Sequence, residues 1–246
     1  MAIYRHLKNA PLIEALIDIR VSLPSVFDPK DFLSLSKDIS DKYTKSEPRQ
    51  LFTAAFGVEA GKPFTRAAES KGIHGYICKS EDGKDVVQFR IDGFTFSRLN
   101  PYSEWETVLS EAKRLWGLYS IKCLPELITR IAVRYINRLD LPLPIKDFAD
   151  YLTAPPLVPD SLPQGVSQFL TRVVIHDADI TANIVQTMKS SPKADYIGVI
   201  LDIDVFKLKE TGFEESSIWP EFKKLKDFKN RIFFESITEK TARLYE

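Results

Sequence analysis

The feature that most constrains this chain is an order of segments that occurs twice. The first half runs strand, helix, a set of short strands that ends in a hairpin, and helix, and the same order begins again near residue 128. Leu23 and Leu141 each precede a proline at a strand end, and aligning them needs an offset of 118 residues. Trp105 and Trp219 each stand at a helix start, and their offset is 114. Because the two anchors nearly agree, the pattern favours duplication of a β-α-β-β-β-α unit.

The duplication predicts an α+β fold of two repeats, residues 1–124 and 125–246, related by an approximate two-fold axis. One unit has too few helices to cover both faces of its own sheet, so the second unit supplies the missing partner. We therefore expect antiparallel strands, in two sheets or one continuous sheet, with the helices on one face and a groove along the axis. The second repeat also carries a proline-rich loop at residues 153–165, which excludes regular helix there.

Hydrophobic periodicity predicts the individual elements. Residues 10–24 alternate apolar and polar side chains, which indicates a half-buried strand, and the apolar spacing over 28–43 indicates a helix. An Asp-Gly pair at 82–83 predicts a hairpin turn. The other predicted elements are strand-like runs at 51–60, 64–70, 73–80, 85–91, 94–99, 129–142, 168–178, 181–189 and 195–208, helices at 102–119, 145–152 and 216–230, and a solvated tail that follows an apolar run within 231–246.

Composition narrows the classes of function. Lys plus Arg and Asp plus Glu both number 34, so no net positive field favours non-specific nucleic-acid binding. No segment resembles a secretory signal, and none approaches the roughly 20 apolar residues that span a bilayer. Cys78 and Cys123 stand alone, as reduced thiols do. We therefore expect a cytoplasmic protein with neither a nucleic-acid nor a membrane partner.

Five segments carry a resemblance that covers the chain from end to end: KNAPLIEALIDIR, YSEW, RYINRLDLP, LDIDVF and NRIFFESITEK. Together, in this order, they resemble a sporadically distributed prokaryotic protein family that is uncharacterised in biochemical terms. The resemblance implies no catalytic residues. The patchy distribution of that family implies that its genes are carried on genomic islands, in a defence-type context.

Familiar catalytic motifs are missing from the sequence. It contains no GxGxxG, GxxxxGK[ST], GxSxG or HExxH. His6, His74 and His176 are too scattered to predict a metal triad. We therefore expect no cofactor and assign no catalytic residue.

A polar sheet face in the second repeat is the predicted ligand site. In the strand at 195–208 the odd positions from Ile197 to Val205 are apolar, so Asp202 and Asp204 share the opposite face. The same alternation in the strands at 129–142 and 168–178 places arginines and a histidine on the polar side. The candidate ligand-binding residues are Arg130, Arg134, Arg138, Arg172, His176, Asp202 and Asp204.

This polar face admits three interpretations. It can be a solvated surface with cross-strand ion pairs. It can be a groove whose arginines bind a phosphate or carboxylate, since the planar guanidinium bonds such anions bidentately. It can also hold a divalent metal on Asp202 and Asp204, as in many phosphoryl-transfer sites.

The leading hypothesis is a non-enzymatic binding or regulatory protein whose partner is a small anionic ligand or another protein. Formation of a homo-oligomer is left open. The competing hypothesis is a metal-dependent enzyme that acts on a phosphate-containing substrate through Asp202 and Asp204, with the arginines as clamps. The first is favoured because a duplicated scaffold without a catalytic motif is typical of binding.

Two further expectations concern polar residues near predicted core positions. The basic run at 223–231 is predicted to be the solvent side of a helix, with Phe222, Leu225 and Phe228 opposite. Asn137 has the parity of a core-facing position, so it needs hydrogen-bond partners if it is buried. Its expected role is to fix the strand end against the proline-rich loop.

Overall fold

The computed structural model describes residues 1–53, 56–59, 62–65, 69–101 and 104–246, and over 51–71 it describes the backbone alone. Parts of the predicted runs at 51–60 and 64–70 lie outside the described residues. So do the first two residues of the predicted helix at 102–119.

Eleven strands and four helices occur in the described part of the chain. The strands are β1 Leu12–Ser22, β2 Lys45–Thr53, β3 Phe56–Glu59, β4 Lys62–Thr65, β5 Glu69–Lys79, β6 Asp85–Arg90, β7 Gly93–Leu99, β8 Leu127–Pro142, β9 Leu170–Asp177, β10 Ile180–Ser190 and β11 Tyr196–Leu208. The helices are α1 Phe32–Asp38, α2 Trp105–Cys123, α3 Glu215–Ser236 and α4 Glu239–Arg243, and 3-10 turns lie at Pro29–Asp31 and Phe148–Asp150. None of the helices found in the described ranges has the length and apolar character needed to cross a membrane.

One large antiparallel sheet dominates the α+β architecture. The described residues form nine strands in the order β2-β5-β6-β7-β1-β8-β11-β10-β9, and every neighbouring pair is antiparallel. β1 and β8 pair at the centre, with Ile17 opposite Val133. The strand next to β1 is β7, followed by β6 and β5, and the strand next to β8 is β11, followed by β10 and β9. β3 and β4 form a separate hairpin.

The helices cover one face of this sheet. α2 packs on β7, where the rings of Phe94 and Trp116 meet edge to face with centroids 5.9 Å apart. α3 packs on β8 and β11. Ala15, Ile17 and Ile19 of β1 are fully buried under these helices, so the alternation predicted for residues 10–24 is confirmed. Burying an isoleucine side chain contributes about 1.5–3 kcal/mol to the stability of the fold. A shift of one residue in strand pairing would turn these side chains to the other face, so their burial fixes the register of the central strands.

The hairpin predicted at the Asp-Gly pair is confirmed, because β5 and β6 pair on either side of it. Gly83 has a φ of 69°, a conformation that glycine adopts without strain.

The two cysteines are free and buried, as expected for isolated thiols. Burial raises the pKa of the Cys123 thiol to about 12, so this group is no thiolate nucleophile at neutral pH.

Three expectations about helices and strands were wrong in detail. The predicted helix at 145–152 is only the 3-10 turn at Phe148–Asp150, because Leu152 leaves to form a bridge with Ile237. The helix predicted over 28–43 is confined to α1 and the turn before it. Val173, expected on the core side, is 52% exposed because it lies on the edge strand β9, beyond the strands that α3 covers.

The C-terminal region also differs from the expectation. The helix predicted at 216–230 continues to Ser236, so the basic run at 223–231 lies inside α3 rather than at its end. The tail is solvated only in part: Lys240, Arg243 and Glu246 are exposed, but Thr241 and Tyr245 are buried, and the hydroxyl of Tyr245 accepts a hydrogen bond from the amide of Asp140 at 2.7 Å.

Candidate functional site

The sheet face away from the helices carries the seven residues predicted from the sequence. On β8 and β11, Arg134 lies opposite Asp204 in the register of the two strands. The edge strand β9 carries Arg172 and His176, which bind Asn183 and Thr181 of β10. The structure therefore places all seven on one side of the sheet, but it groups the β8 and β11 residues apart from those of β9.

The arginines on this face already bind carboxylates. Arg134 binds Asp202 through two hydrogen bonds of 2.9 and 2.6 Å. Arg130 binds Asp204 through two hydrogen bonds of 3.1 and 2.8 Å. Arg138 lies 3.3 Å from Asp140, close enough for an ion pair although its Nε lacks hydrogen-bond geometry. An incoming anion would have to displace these aspartates, so the contacts favour the interpretation as cross-strand ion pairs, and a ligand-binding role for the face stays a prediction.

The ion-pair network extends into β1, β6 and the turn between β6 and β7, which sequence reasoning missed. Arg90 is only 3% exposed and donates to Asp18 at 3.0 Å and to Asp92 at 2.9 Å. Arg130 also donates to Asp18, at 2.9 Å. The polar positions of β1 were visible in the alternation over 10–24, but their partners more than 70 residues away were not.

The two central carboxylates of this network have opposite pKa shifts. Burial pushes the pKa of Asp18 upward, but Arg90, Arg20 and the Thr95 hydroxyl together outweigh it and hold that pKa below its usual range. For Asp204, burial prevails over Arg130 and raises the pKa, and the nearby Asp18 adds to the rise. The protein thus stabilises the ionised form of Asp18 more strongly than that of Asp204.

Asp202 and Asp204 were the candidate metal ligands. Both carboxylates bind arginines, as described above, and β11 places them two residues apart on one face. Within the ranges that the structure describes, no group of three or more His, Cys, Asp or Glu side chains is arranged to hold a metal ion.

A groove on the opposite, helix-covered side offers a different kind of site. Its volume is about 1080 Å³. It lies between the N-terminal segment, the start of α2 and the second half of α3, above Tyr135 and Asn137 of β8. The segments that line it are residues 4–12, 100–101, 104–107, 226, 229–230 and 233–234, together with the two β8 residues. We refer to it as the Lys229 groove, after the residue described next.

Lys229 is buried in this groove, contrary to the prediction that the basic run faces solvent. It is 6% exposed, and its Nζ lies 3.5 Å from the centroid of the Tyr135 ring. The buried residues Leu225, Lys229 and Ile232 follow one another at helical spacing, so they share the face of α3 that packs on the sheet. Extending the periodicity of the helix beyond residue 230 would have revealed this position.

The surroundings of Lys229 disfavour its charge. Nζ donates a hydrogen bond to the Asn230 side chain, and among the residues that the structure describes no Asp or Glu forms an ion pair with it. Burial, aided by the charge of Lys226, lowers the pKa of Lys229 to about 7. The contact with the Tyr135 ring favours the ammonium form by about 2 kcal/mol, the magnitude of such a contact when it is desolvated. Burial prevails, because a shift of this size corresponds to about 5 kcal/mol.

Other polar groups and aromatic rings surround the amine. Asn137 is 4% exposed, and its Nδ2 donates to the carbonyl of Leu201 at 3.1 Å. Asn137 therefore lies in the wall of the groove. The expectation that it fixes the strand end against the proline-rich loop was wrong. Trp105 lies on the other side, with the Nζ of Lys226 5.8 Å from its ring. Apolar walls with a few polar groups are typical of small-molecule sites.

A second cavity, of about 680 Å³, lies beside α1 and α2 and has paired charges. Lys42 binds Asp85 at 3.0 Å and Glu111 at 3.1 Å, and Arg98 binds Asp85 at 2.7 Å. Burial opposes ionisation of Glu111, but hydrogen bonds from Arg114 and its neighbours lower its pKa to about 2. The charged groups of this cavity thus already pair with one another. The Lys229 groove is therefore the stronger candidate for a ligand-binding site.

Comparison with known proteins adds no functional assignment. No protein-family model matches the chain, and no curated protein matches it.

Proposed function

We propose that this protein binds a small anionic ligand in the Lys229 groove and acts as a binding or regulatory protein. The observation that carries the proposal is an amine that is buried in a concave site without a carboxylate partner. Burying a lysine in this way destabilises the fold, and groups with strongly shifted pKa values concentrate at functional sites. An anion that enters the groove would supply the missing countercharge.

The rim of the groove supports a negative ligand. Lys8 and Lys226 line it, and Arg5 lies at its edge, where it already binds Glu239 and Glu246. The carboxylates that line the groove, Glu104 and Glu106, lie at the start of α2. An elongated ligand would place its anionic end at Lys229 and an apolar part against the aromatic walls.

We further propose that the two halves, residues 1–124 and 125–246, are copies of one ancestral unit related by a pseudo-two-fold axis. The matching strand order on either side of the β1–β8 pair supports this. The groove has walls from both halves, since α2 belongs to the first and α3 to the second. We propose that this cleft is the groove expected along the axis. The cytoplasmic location and the family resemblance stay predictions made from the sequence.

A metal-dependent reaction through Asp202 and Asp204 is not part of the proposal. Both carboxylates are engaged by Arg134 and Arg130, and a metal would have to compete with these charge-assisted hydrogen bonds.

Thermal unfolding with added anions tests the proposed function. Succinate and inorganic phosphate should each raise the unfolding temperature of the wild type more than sodium chloride of equal ionic strength. A ligand that binds only the folded state at 100 times its Kd contributes about 2.7 kcal/mol. Lys229→Met should abolish the anion-specific rise, whereas Arg134→Ala, on the other face of the sheet, should retain it.

Two outcomes would contradict the proposal. If Lys229→Met keeps the full anion-specific rise, the groove is not the binding site. If Arg134→Ala loses the rise while Lys229→Met keeps it, the anion binds on the polar face instead.

A further inference from the structure

We propose that Lys229 captures an oxo-acid covalently, through an imine between its Nζ and the aldehyde or ketone carbon of a ligand that also carries a carboxylate. This inference rests on the proposed function and names the class of ligand that the groove would take.

The geometry leaves the amine available for bond formation. Lys229 is one of the residues that line the groove, and 6% of its surface is exposed. No carboxylate in the described part of the chain holds Nζ as an ion pair; the ring of Tyr135 and the Asn230 side chain are its neighbours. Burial within protein also excludes water, which favours an imine because imine formation releases water.

The ionisation of the amine supports the same chemistry. A pKa of about 7 leaves roughly half of the Lys229 side chains neutral at pH 7, whereas a lysine with an ordinary pKa near 10.4 has fewer than about one in a thousand neutral. Only the neutral form has the lone pair that attacks a carbonyl carbon. The charged and titratable groups that line the groove are Lys226 on α3, Glu106 on α2 and Glu104 just before it, Tyr135 on β8, and Tyr4, Arg5, His6 and Lys8 on the N-terminal segment.

The step balances without an oxidant or a metal. The Nζ lone pair forms a bond to the carbonyl carbon, the electron pair of the C=O bond moves to oxygen, and one proton passes from nitrogen to this oxygen to give a carbinolamine. The second N–H proton then goes to the hydroxyl, which leaves as water with the electrons of the C–O bond, and the electron pair left on nitrogen forms the C=N bond. The net change is one imine formed and one water released. Lys8 and Lys226 at the rim offer countercharges for the carboxylate of the ligand.

Reductive trapping tests the inference. The full-length protein is incubated at pH 7 with glyoxylate, which joins an aldehyde to a carboxylate, and with cyanoborohydride, which reduces an imine to a stable amine. Intact-mass measurement and peptide mapping should find one adduct per chain, on Lys229, formed well before adducts on surface lysines. Lys229→Arg, which keeps the positive charge but cannot form the imine, should lose the rapid adduct, whereas Lys223→Arg on the exposed side of α3 should keep it.

The outcomes separate the two proposals. Adducts spread over surface lysines, or an equally rapid adduct in Lys229→Arg, would overturn imine formation. If the wild type still shows the anion-specific thermal rise but no adduct at Lys229, the groove binds anions and only the covalent step fails. If both signals are missing, the proposed function fails as well. Circular dichroism of each variant checks that it is folded, and Lys229→Met provides a second variant if Lys229→Arg is not.

Discussion

At the scale of single residues, Lys229 holds an amine where its charge is poorly solvated. Its pKa in the folded protein lies below that of the unfolded chain, so the unfolded state binds more protons between pH 7 and about 10.5. The contribution of Lys229 to the free energy of unfolding therefore rises with pH across this window. Below pH 7 the full penalty of the buried ammonium applies.

Lys229→Met should therefore stabilise the protein at pH 7, by about 3 kcal/mol, because it removes this penalty and keeps most of the apolar contact. The gain should shrink as the pH approaches 10. Urea unfolding of both proteins at several pH values measures the difference, and Lys223→Met on the exposed side of α3 is the control. A loss of stability at pH 7 would show that the ammonium is well accommodated.

The central aspartates give a second prediction at this scale. The lowered pKa of Asp18 means that its contribution to stability is present above its unfolded value, about 3.9, and is lost as the pH falls through its folded value. Asp18→Asn should cost about 3 kcal/mol at pH 7, because Arg90 is buried and loses a partner. Asp204→Asn should cost less than about 1 kcal/mol, because its ionised form is not favoured by the fold. Equal losses in urea unfolding would contradict this ranking.

At the scale of elements, alternation along the strands was sufficient to predict which side chains share a sheet face. Ile17 and Ile19 of β1, Ile131 and Val133 of β8, and Val199, Leu201, Ile203 and Val205 of β11 are buried, as the period of two indicates, and the aspartates and arginines of these strands lie on the opposite side. The partners of each arginine were not predictable, because they depend on strand register between residues far apart in sequence. The burial of Lys229 was missed for a different reason. The helix was ended too early, so the face formed with Ile232 and Phe233 went unrecognised.

The C-terminal tail gives a prediction at this scale, since Tyr245, the second residue after α4, binds β8 at Asp140. Tyr245→Phe removes the acceptor of the Asp140 amide hydrogen bond while keeping the buried ring. The free energy of unfolding should fall by about 1 kcal/mol, measured with urea. Arg5→Ala breaks partly exposed ion pairs to Glu239 and Glu246 and should change it less. The opposite ranking would mean that the tail is held mainly by its charges.

At the scale of the whole molecule, the β1–β8 pair joins the two halves into one sheet. Separating the halves would expose the long central edges of both strands, whose core-facing residues Ile17, Ile19, Ile131 and Val133 are fully buried in the intact chain. Residues 1–124 alone and 125–246 alone should therefore fail to fold as monomers. The two halves produced together should associate, and size-exclusion chromatography with circular dichroism measures both results. A monomeric half with a cooperative thermal transition would contradict the prediction.

The central claim is that the Lys229 groove presents a partly neutral amine that an anion can neutralise. An NMR titration of protein labelled with ¹³C at the lysine Cε, with the Lys229 signal assigned through Lys229→Met, measures this directly. The predicted result is a pKa of about 7 without ligand, and a higher pKa when succinate is added. A Lys229 signal that titrates at the ordinary lysine value, and does not respond to succinate, would contradict it.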